Sequence, residues 1–297
     1  MTATIRYTID NPDQLDAIEE AFWSVGAMSV TLLDAGNQPL LEPGPGETPV
    51  WSSSLVEALV PAEVRSDDVA RALAAHGITV SSDDLVLCEL PDRDWERAWM
   101  DRYEPMRFGE SIWICPSHIE PDPAWAVVIR LDPGLAFGSG THPTTALCLE
   151  WLDRQDLDDR DVIDYGCGSG VLAVAAALKG ARSVLAIDHD PQALDATRAN
   201  AEANGVADRI RIATPRLLAE GKADVVVANI LAAPLIELAR PLSSALRPGG
   251  VIALSGILFQ QRNPVGDAYA ARLQPLDEQH REDWLLLAFR RSMPRSE

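Results

Sequence analysis

Seven residues, Asp164-Tyr-Gly-Cys-Gly-Ser-Gly170, constrain this chain more than any other stretch. They stand between an apolar run ending at Val162-Ile163 and a helix-compatible one, Val171 to Leu178. Glycine at alternate positions (Gly166, Gly168, Gly170) lets backbone approach a ligand where a Cβ would intrude, at the carboxyl end of a strand. A second apolar run, Ser183 to Ile187, ends on Asp188. That carboxylate lies about 20 residues beyond the glycines, the spacing at which a strand–loop–helix–strand unit reaches a ribose. A nucleoside cofactor on a doubly wound α/β domain is the reading.

The dinucleotide fingerprint G-x-G-x-x-G needs glycine where Val171 stands, which argues against a dehydrogenase. G-x-G-x-G with an acidic residue two positions earlier resembles S-adenosylmethionine-dependent methyltransferases of the doubly wound class. That cofactor has no pyrophosphate, and its ribose hydroxyls suit Asp188. Downstream, Ala223 to Leu231 reads as a buried strand that breaks on polar Asn229, where an open α/β sheet places its ligands. A helix is expected over Leu235–Leu246, then a turn through Arg247-Pro-Gly-Gly250 into a strand at Val251–Leu254. The glycine loop, Asp188 and Asn229 thus fall at the ends of successive strands and make one crevice.

At 297 residues, two domains are expected. No apolar run reaches the roughly 18 residues of a membrane span, and the first residues lack the pattern of a signal peptide. Cys88, Cys115, Cys148 and Cys167 are scattered without a C-x-x-C pair, so neither zinc nor a disulfide framework is expected and no metal is assigned. Cys167, inside the glycine loop, reads as a small wall residue rather than a nucleophile. A reduced, cytoplasmic protein follows. The net charge of −20 argues against binding a phosphate backbone, so no nucleic-acid or membrane partner is expected. Residues 1–100 carry 18 Asp and Glu against 5 Arg and no Lys. That excess is open to two explanations, a solvated acidic face or a surface for a basic protein partner.

The first third reads strand (Thr4–Ile9), helix (Pro12–Trp23), strand (Met28–Leu33), strand (Leu55–Val60), helix (Asp67–His76), strand (Leu85–Leu90). Asn11 before Pro12 is a helix start, and Gly26 and Gly77 stand where helix-ending glycines belong. The order β-α-β-β-α-β is that of a ferredoxin-like α+β module. An RNA-binding version would show aromatic and basic residues on its central strands, and Met28–Leu33 and Leu55–Val60, taken as those strands, carry neither. Protein recognition is favoured. Pro39 to Pro49 is a loop tip. Trp95, Trp99 and Tyr103 recur every four residues, so residues 94–103 are expected to form a linker helix with an aromatic stripe.

Over nearly its whole length the chain resembles the bacterial ribosomal protein L11 methyltransferases. The resemblance rests on Trp95 with Trp99, Ile114 with Pro116-Ser117, and above all Leu131 to Thr145 (LDPGLAFGSGTHPTT). Asp164 to Gly170, Asp188 with Asp190-Pro191, Ala228 to Leu231 and Leu254 to Ile257 extend it. Ser139, His118 and Tyr165 depart from the usual Thr, Trp and Phe. The resemblance implies a Rossmann-like methyltransferase domain (119–297) preceded by a ferredoxin-like substrate-recognition domain (1–92), joined by a linker helix and hinge (93–118). It implies methyl transfer from S-adenosyl-L-methionine to lysine ε-amines and the N-terminal α-amine of ribosomal protein L11; a monomer is expected, although the sequence leaves oligomeric state open.

Catalysis is assigned to Asn229, whose side-chain carbonyl can orient an amine toward the methyl group. Cofactor contacts are expected from Gly166, Gly168, Asp188 and Asn229, from Thr145 as the resemblance implies, and from Asp164 toward the methionine amino group. His142, between Thr141 and Pro143, reads as a loop-fixing residue rather than a base. The rival is a methyltransferase of the same fold acting on another protein or on a nucleobase. Nucleobase enzymes carry an aromatic after the Asn, whereas Ile230-Leu231 stand here. A non-enzymatic binding module is opposed by the intact Asp164, Asp188 and Asn229.

Overall fold

The computed structural model describes residues 2–36, 50–90, 104–132 and 142–293. The expected linker helix over 94–103, the loop tip 39–49 and positions 133–141 of the Leu131–Thr145 segment lie outside the described residues. The chain divides into two compact units, Met1–Ala98 and Trp99–Glu297.

In the first unit the strands are β1 (Thr2–Ile9), β2 (Ser29–Asp34), β3 (Ser54–Pro61) and β4 (Val86–Leu90), with helices α1 (Leu15–Ser24) and α2 (Ser66–Ala75). The sheet runs β2-β3-β1-β4, antiparallel throughout, which is the ferredoxin-like arrangement. Alternation decides which face is inside: Ser54, Val56, Ala58 and Val60 are buried along β3, and Ala3, Ile5 and Ile9 along β1. Ile18 and Phe22 of α1 and Val69 and Leu73 of α2 close that face. The Asn11 side chain accepts from the Asp13 amide as an N-cap, but Pro12–Gln14 form a 3₁₀ turn before the α-helix begins. Gly26 and Gly77 follow the two helices at φ +85° and +82°, the left-handed conformation that a helix-ending glycine supplies without a Cβ penalty. One expectation is corrected. The central strands are β3 and β1, and β2 is an edge, because the split β-α-β crossover inserts β3 beside β1. The outer face of β1 presents Thr4, Arg6 and Thr8, and Arg6 pairs with Glu57 directly opposite.

The second unit opens with a small sheet, β5 (Met106–Phe108), β6 (Ile112–Cys115) and β7 (Val127–Arg130). Residues 106–115, expected in the hinge, are therefore strands of this unit. Asp153, at the end of helix α3 (Pro143–Asp153), is what holds them. Its carboxylate accepts the amides of Glu110 at 2.6 Å and Ser111 at 3.2 Å and the Ser111 hydroxyl, and lies 3.2 Å from the Lys179 ammonium. Burial alone would raise this carboxyl, but those donors outweigh it and hold it below the usual carboxylate range.

The main sheet has β8 (Asp161–Tyr165), β9 (Ser183–Ile187), β10 (Ile210–Ala213), β11 (Ala223–Asn229), β12 (Leu246–Leu258), β13 (Gln274–Arg281) and β14 (Trp284–Arg290). Their order is β10-β9-β8-β11-β12-β14-β13, with only β14 antiparallel to its neighbours. Helices α3, α4 (Val171–Leu178) and α5 (Pro191–Ala203) cover one face, and α6 (Ala232–Glu237), α7 (Ala239–Ala245) and α8 (Arg262–Ala270) the other. This two-sided cover is why β11 reads as an unbroken apolar run: Val225 and Val227 pack into one core, Val226 and Ala228 into the other.

The single helix expected over Leu235–Leu246 is two short ones that break at Leu238. Pro241 is the reason, since it has no N–H to give Glu237 and its ring would strike that carbonyl in a continuous helix. Leu246 already belongs to β12, which loops out at residues 247–250 before pairing resumes at Val251. Among the described residues no helix is long and apolar enough to cross a membrane.

Candidate active site

The strand order reverses direction between β8 and β11, which is where an open α/β sheet leaves a crevice at its carboxyl edge. A cleft of about 660 Å³ lies there. Its wall follows the strand order, from Asp188 after β9, through Gly166 and Gly168 after β8 and Asn229 at the end of β11, to Gly256 in β12 and Trp284 at the start of β14. The sequence-predicted Gly166, Gly168, Asp188 and Asn229 are thus brought together.

Gly166, Gly168 and Gly170 have φ of +75°, +54° and +77°. Gly166 must also stay bare: a Cβ there would stand 2.2 Å from Cγ2 of Ile230. Asp188 closes the loop from the side. One carboxylate oxygen accepts the Gly168 amide at 3.0 Å, the other the amides of His189 at 2.7 Å and Asp190 at 3.1 Å.

Thr145 and Asp164 are buried beside the residues that line the cleft. Thr145 is buried in the first turn of α3, and its hydroxyl is 3.4 Å from the Asn229 amide nitrogen. It therefore holds the Asn229 amide in orientation and does not itself face the cleft. Asp164 is fully buried, with one oxygen accepting the Ala173 amide at 2.9 Å to fix the start of α4 beneath the glycine loop. Burial, with the nearby charge of Asp188, pushes its carboxyl up to about 7.

Two buried side-chain oxygens at this point have no hydrogen-bond partner among the described residues: Oδ1 of Asp164 and Oδ1 of Asn229. Buried orphans of this kind are uncommon and call for a partner from outside the protein. With the bare glycine cradle and the Asp188 carboxylate, they suit a ligand carrying hydroxyl and ammonium donors, as S-adenosylmethionine does.

His142 is the N-cap of α3. Its Nδ1 accepts the Thr144 amide at 3.3 Å and lies 2.7 Å from the Thr144 hydroxyl, so the ring is committed to the first turn of α3. Burial lowers its pKa, which keeps the ring neutral at pH 7. Cys167 is buried with its thiol pushed up to about 12 by desolvation, far from the thiolate a nucleophile needs. Tyr165 lines the cleft. No cluster of potential metal ligands occurs among the described residues.

Gly256, matched in sequence but given no role there, proves to be part of the site. Its φ is +83°, and a Cβ would fall 2.2 Å from the Ile230 carbonyl oxygen. Ile230 is thereby wedged between two glycines, Gly166 and Gly256, and its placement sets that of Asn229. Gly256→Ala is expected to cost about 2 kcal/mol of stability, since left-handed backbone alone costs a residue with a Cβ roughly 1–2 kcal/mol. Displacement of the Ile230 carbonyl should lower kcat about tenfold as well. Chemical denaturation and steady-state kinetics measure the two effects. An unchanged kcat would mean the Ile230 backbone does not position the acceptor side.

The family profile described as "Ribosomal protein L11 methyltransferase (PrmA)" matches residues 4–292. A protein named ribosomal protein L11 methyltransferase from Hahella chejuensis is 50% identical over 276 residues, covering 93% of this chain and 94% of its own. One of the same name from Methylococcus capsulatus is 48% identical over 292 residues, covering 97% and 98%. Among solved structures, a ribosomal protein L11 methylase from Lactobacillus delbrueckii subsp. bulgaricus matches with a TM-score of 0.59 at 36% identity. That match covers 64% of this chain and all of the other. The chain therefore belongs to the ribosomal protein L11 methyltransferase family, whose members are S-adenosylmethionine-dependent protein methyltransferases.

Proposed function

We propose that this chain methylates lysine ε-amines and the N-terminal α-amine of ribosomal protein L11, with Asn229 orienting each amine. The observation that carries the reading is the unpaired, buried Oδ1 of Asn229 in the wall of the cleft. When bound, S-adenosylmethionine supplies an electrophilic methyl on a sulfonium, so the amine lone pair forms the N–C bond while the C–S pair leaves with sulfur. The chain's residues then have three tasks. Gly166, Gly168 and Asp188 hold the nucleoside, Asp164 holds the loop and offers its free oxygen to an ammonium, and Asn229 aims the amine.

A lone pair requires a neutral amine. Deprotonating a free lysine of pKa about 10.4 at pH 7 costs about 4.6 kcal/mol, and an α-amine of pKa about 8 only about 1.4 kcal/mol. A low-dielectric cleft beside a cation lowers both costs, so no strong base is required. The neutral His142, committed to capping α3, is not needed as one. Oδ1 of Asn229 accepts an amine N–H and so turns the lone pair the other way, which is catalysis by orientation. Ile230 and Leu231 follow where a flat nucleobase would need an aromatic platform, which favours an aliphatic amine. Incubation of unmodified L11 with the chain and cofactor, read by intact mass, tests the reading. Increments of one methyl mass are expected, and no increment overturns it.

Substrate grip belongs to the amino-terminal domain, residues 1–92, through its acidic excess acting on a basic partner, and the catalytic domain includes the small sheet that opens at Met106. Deleting residues 1–92 should leave cofactor binding within about threefold, because the whole main sheet and cleft lie in the second unit. Activity on L11 should fall at least about tenfold, and activity of the full chain should decline as salt screens the steering charge. Full activity of the shortened chain would reduce the acidic excess to surface bias. The enzyme is assigned to the cytoplasm, acting as a monomer.

A further inference from the structure

Trp284 opens β14 and lines the same cleft as Asn229, on its far side from Asp188. One strand, β12, separates β11 from β14; Asn229 faces Ser255 of β12 and Trp284 faces Leu258, so the two backbones stand about 14 Å apart, a gap their side chains and a bound amine would span. The indole is held from two sides. The His142 ring meets it at 4.9 Å between centroids and 67° between planes, an edge-on contact. The two-residue tip before it, Glu282-Asp283, is tied to the end of β12 by the Phe259 amide, which donates to the Asp283 carbonyl at 2.9 Å. Glu282 has φ +54°, a left-handed conformation unusual for a residue with a Cβ. A left-handed first residue is what the two-residue hairpin turn between β13 and β14 calls for, so the turn fixes where β14 and Trp284 begin.

We propose that Trp284 determines how many methyl groups one amine receives, by offering a π surface that holds the ammonium after its N–H donors are gone. The inference rests on the amine methylation proposed above. Each round forms one N–C bond with the nitrogen lone pair, sends the C–S pair to sulfur and, in the first two rounds, releases one N–H proton to water. A neutral amine enters with two N–H donors, its monomethyl form with one, and its dimethyl form with none. Oδ1 of Asn229 can grip the first two and has nothing to grip in the third. A tryptophan face within about 6 Å attracts a cation, including the charge developing on nitrogen during transfer, and requires no donor. It also tolerates methyl groups that a polar wall would repel. Asn229 therefore governs the early transfers and Trp284 the late ones.

The test compares Trp284→Leu, which keeps bulk without a π face, with Trp284→Phe, which keeps a π face. Full-length chain, unmodified L11 and saturating cofactor are followed by mass spectrometry of the modified residues. In W284L the rate of the third methyl transfer relative to the first should fall about tenfold, W284F should recover most of it, and cofactor Kd should stay within about threefold. An unchanged ratio in W284L, or an equal fall of all steps in both variants, overturns the proposal. A second measurement uses the wild-type chain, in case W284L does not fold. A peptide carrying trimethyllysine should inhibit about tenfold more strongly than one carrying the uncharged carbon isostere. Equal inhibition overturns the π-surface role. If the wild-type chain adds no methyl to L11 at all, the underlying reading fails, and that outcome is separate from every one above.

Discussion

Asn229→Ala is expected to lower kcat about 100-fold and to leave the cofactor Kd within about threefold, because the work of this residue is orientation. The amide is pre-set for this task. Its nitrogen faces the Thr145 hydroxyl at 3.4 Å, which leaves Oδ1 as the end without a partner among the described residues. Alanine removes the acceptor and leaves a cavity where an amine can rotate out of line. Thr145→Val, which removes only the hydroxyl that holds the amide, should reduce kcat by a smaller factor, about fivefold. Parallel loss of cofactor affinity in N229A would move the residue from the amine to the cofactor side. A fall in turnover of less than about threefold would remove it from catalysis altogether.

Asp188→Ala is expected to weaken S-adenosylmethionine binding about 100-fold, which titration calorimetry would read directly. A carboxylate offers about four acceptor sites. Three backbone amides, of Gly168, His189 and Asp190, already occupy the Asp188 carboxylate. That leaves room for about one ribose hydroxyl in this geometry, a charge-assisted bond of about 1.5–3 kcal/mol. The rest of the expected loss comes from the Gly168 amide, which loses the group that holds the loop in its left-handed turn. Asp188→Asn retains one oxygen acceptor and should fall between the two. A change in Kd below about fivefold would remove the ribose assignment.

Some of this was written in the order of the residues. The glycines at alternate positions, the strand that ends at Asp188 and the strand that breaks on Asn229 are local signals, because burial on two faces forces continuous apolar runs and ligand contacts fall at their ends. The strand β9 and the helix α4 were legible to the residue for that reason, whereas β8 runs two residues past the apolar run that ends at Ile163. The ferredoxin-like order of the first unit was legible too, since its strands alternate, a proline marks the start of the first helix and glycines follow both. Less visible was the break at Pro241, masked by the apolar periodicity on either side of it. The identity of the central strands in the first unit was likewise hidden, because pairing order is a non-local property that no single strand encodes.

The sequence by itself determined the fold class, the nucleoside-binding loop and the family, all of which depend on residue type at short spacing. Tertiary structure decided which residues face the ligand and which act from behind. Asp164 is fully buried, with one oxygen anchoring α4 and the other left without a partner, and buried Thr145 stands as a support for Asn229. Gly256 and Trp284 join the site from β12 and β14, some 90 or more positions beyond the glycine loop. They do so because the crossover order of the sheet places β12 beside β11 and β14 next beyond it. Asp153 binds the 110–111 turn across more than 40 positions for the same reason. Contacts of that range depend on how strands are stacked, and stacking is settled only when both faces of the sheet are covered.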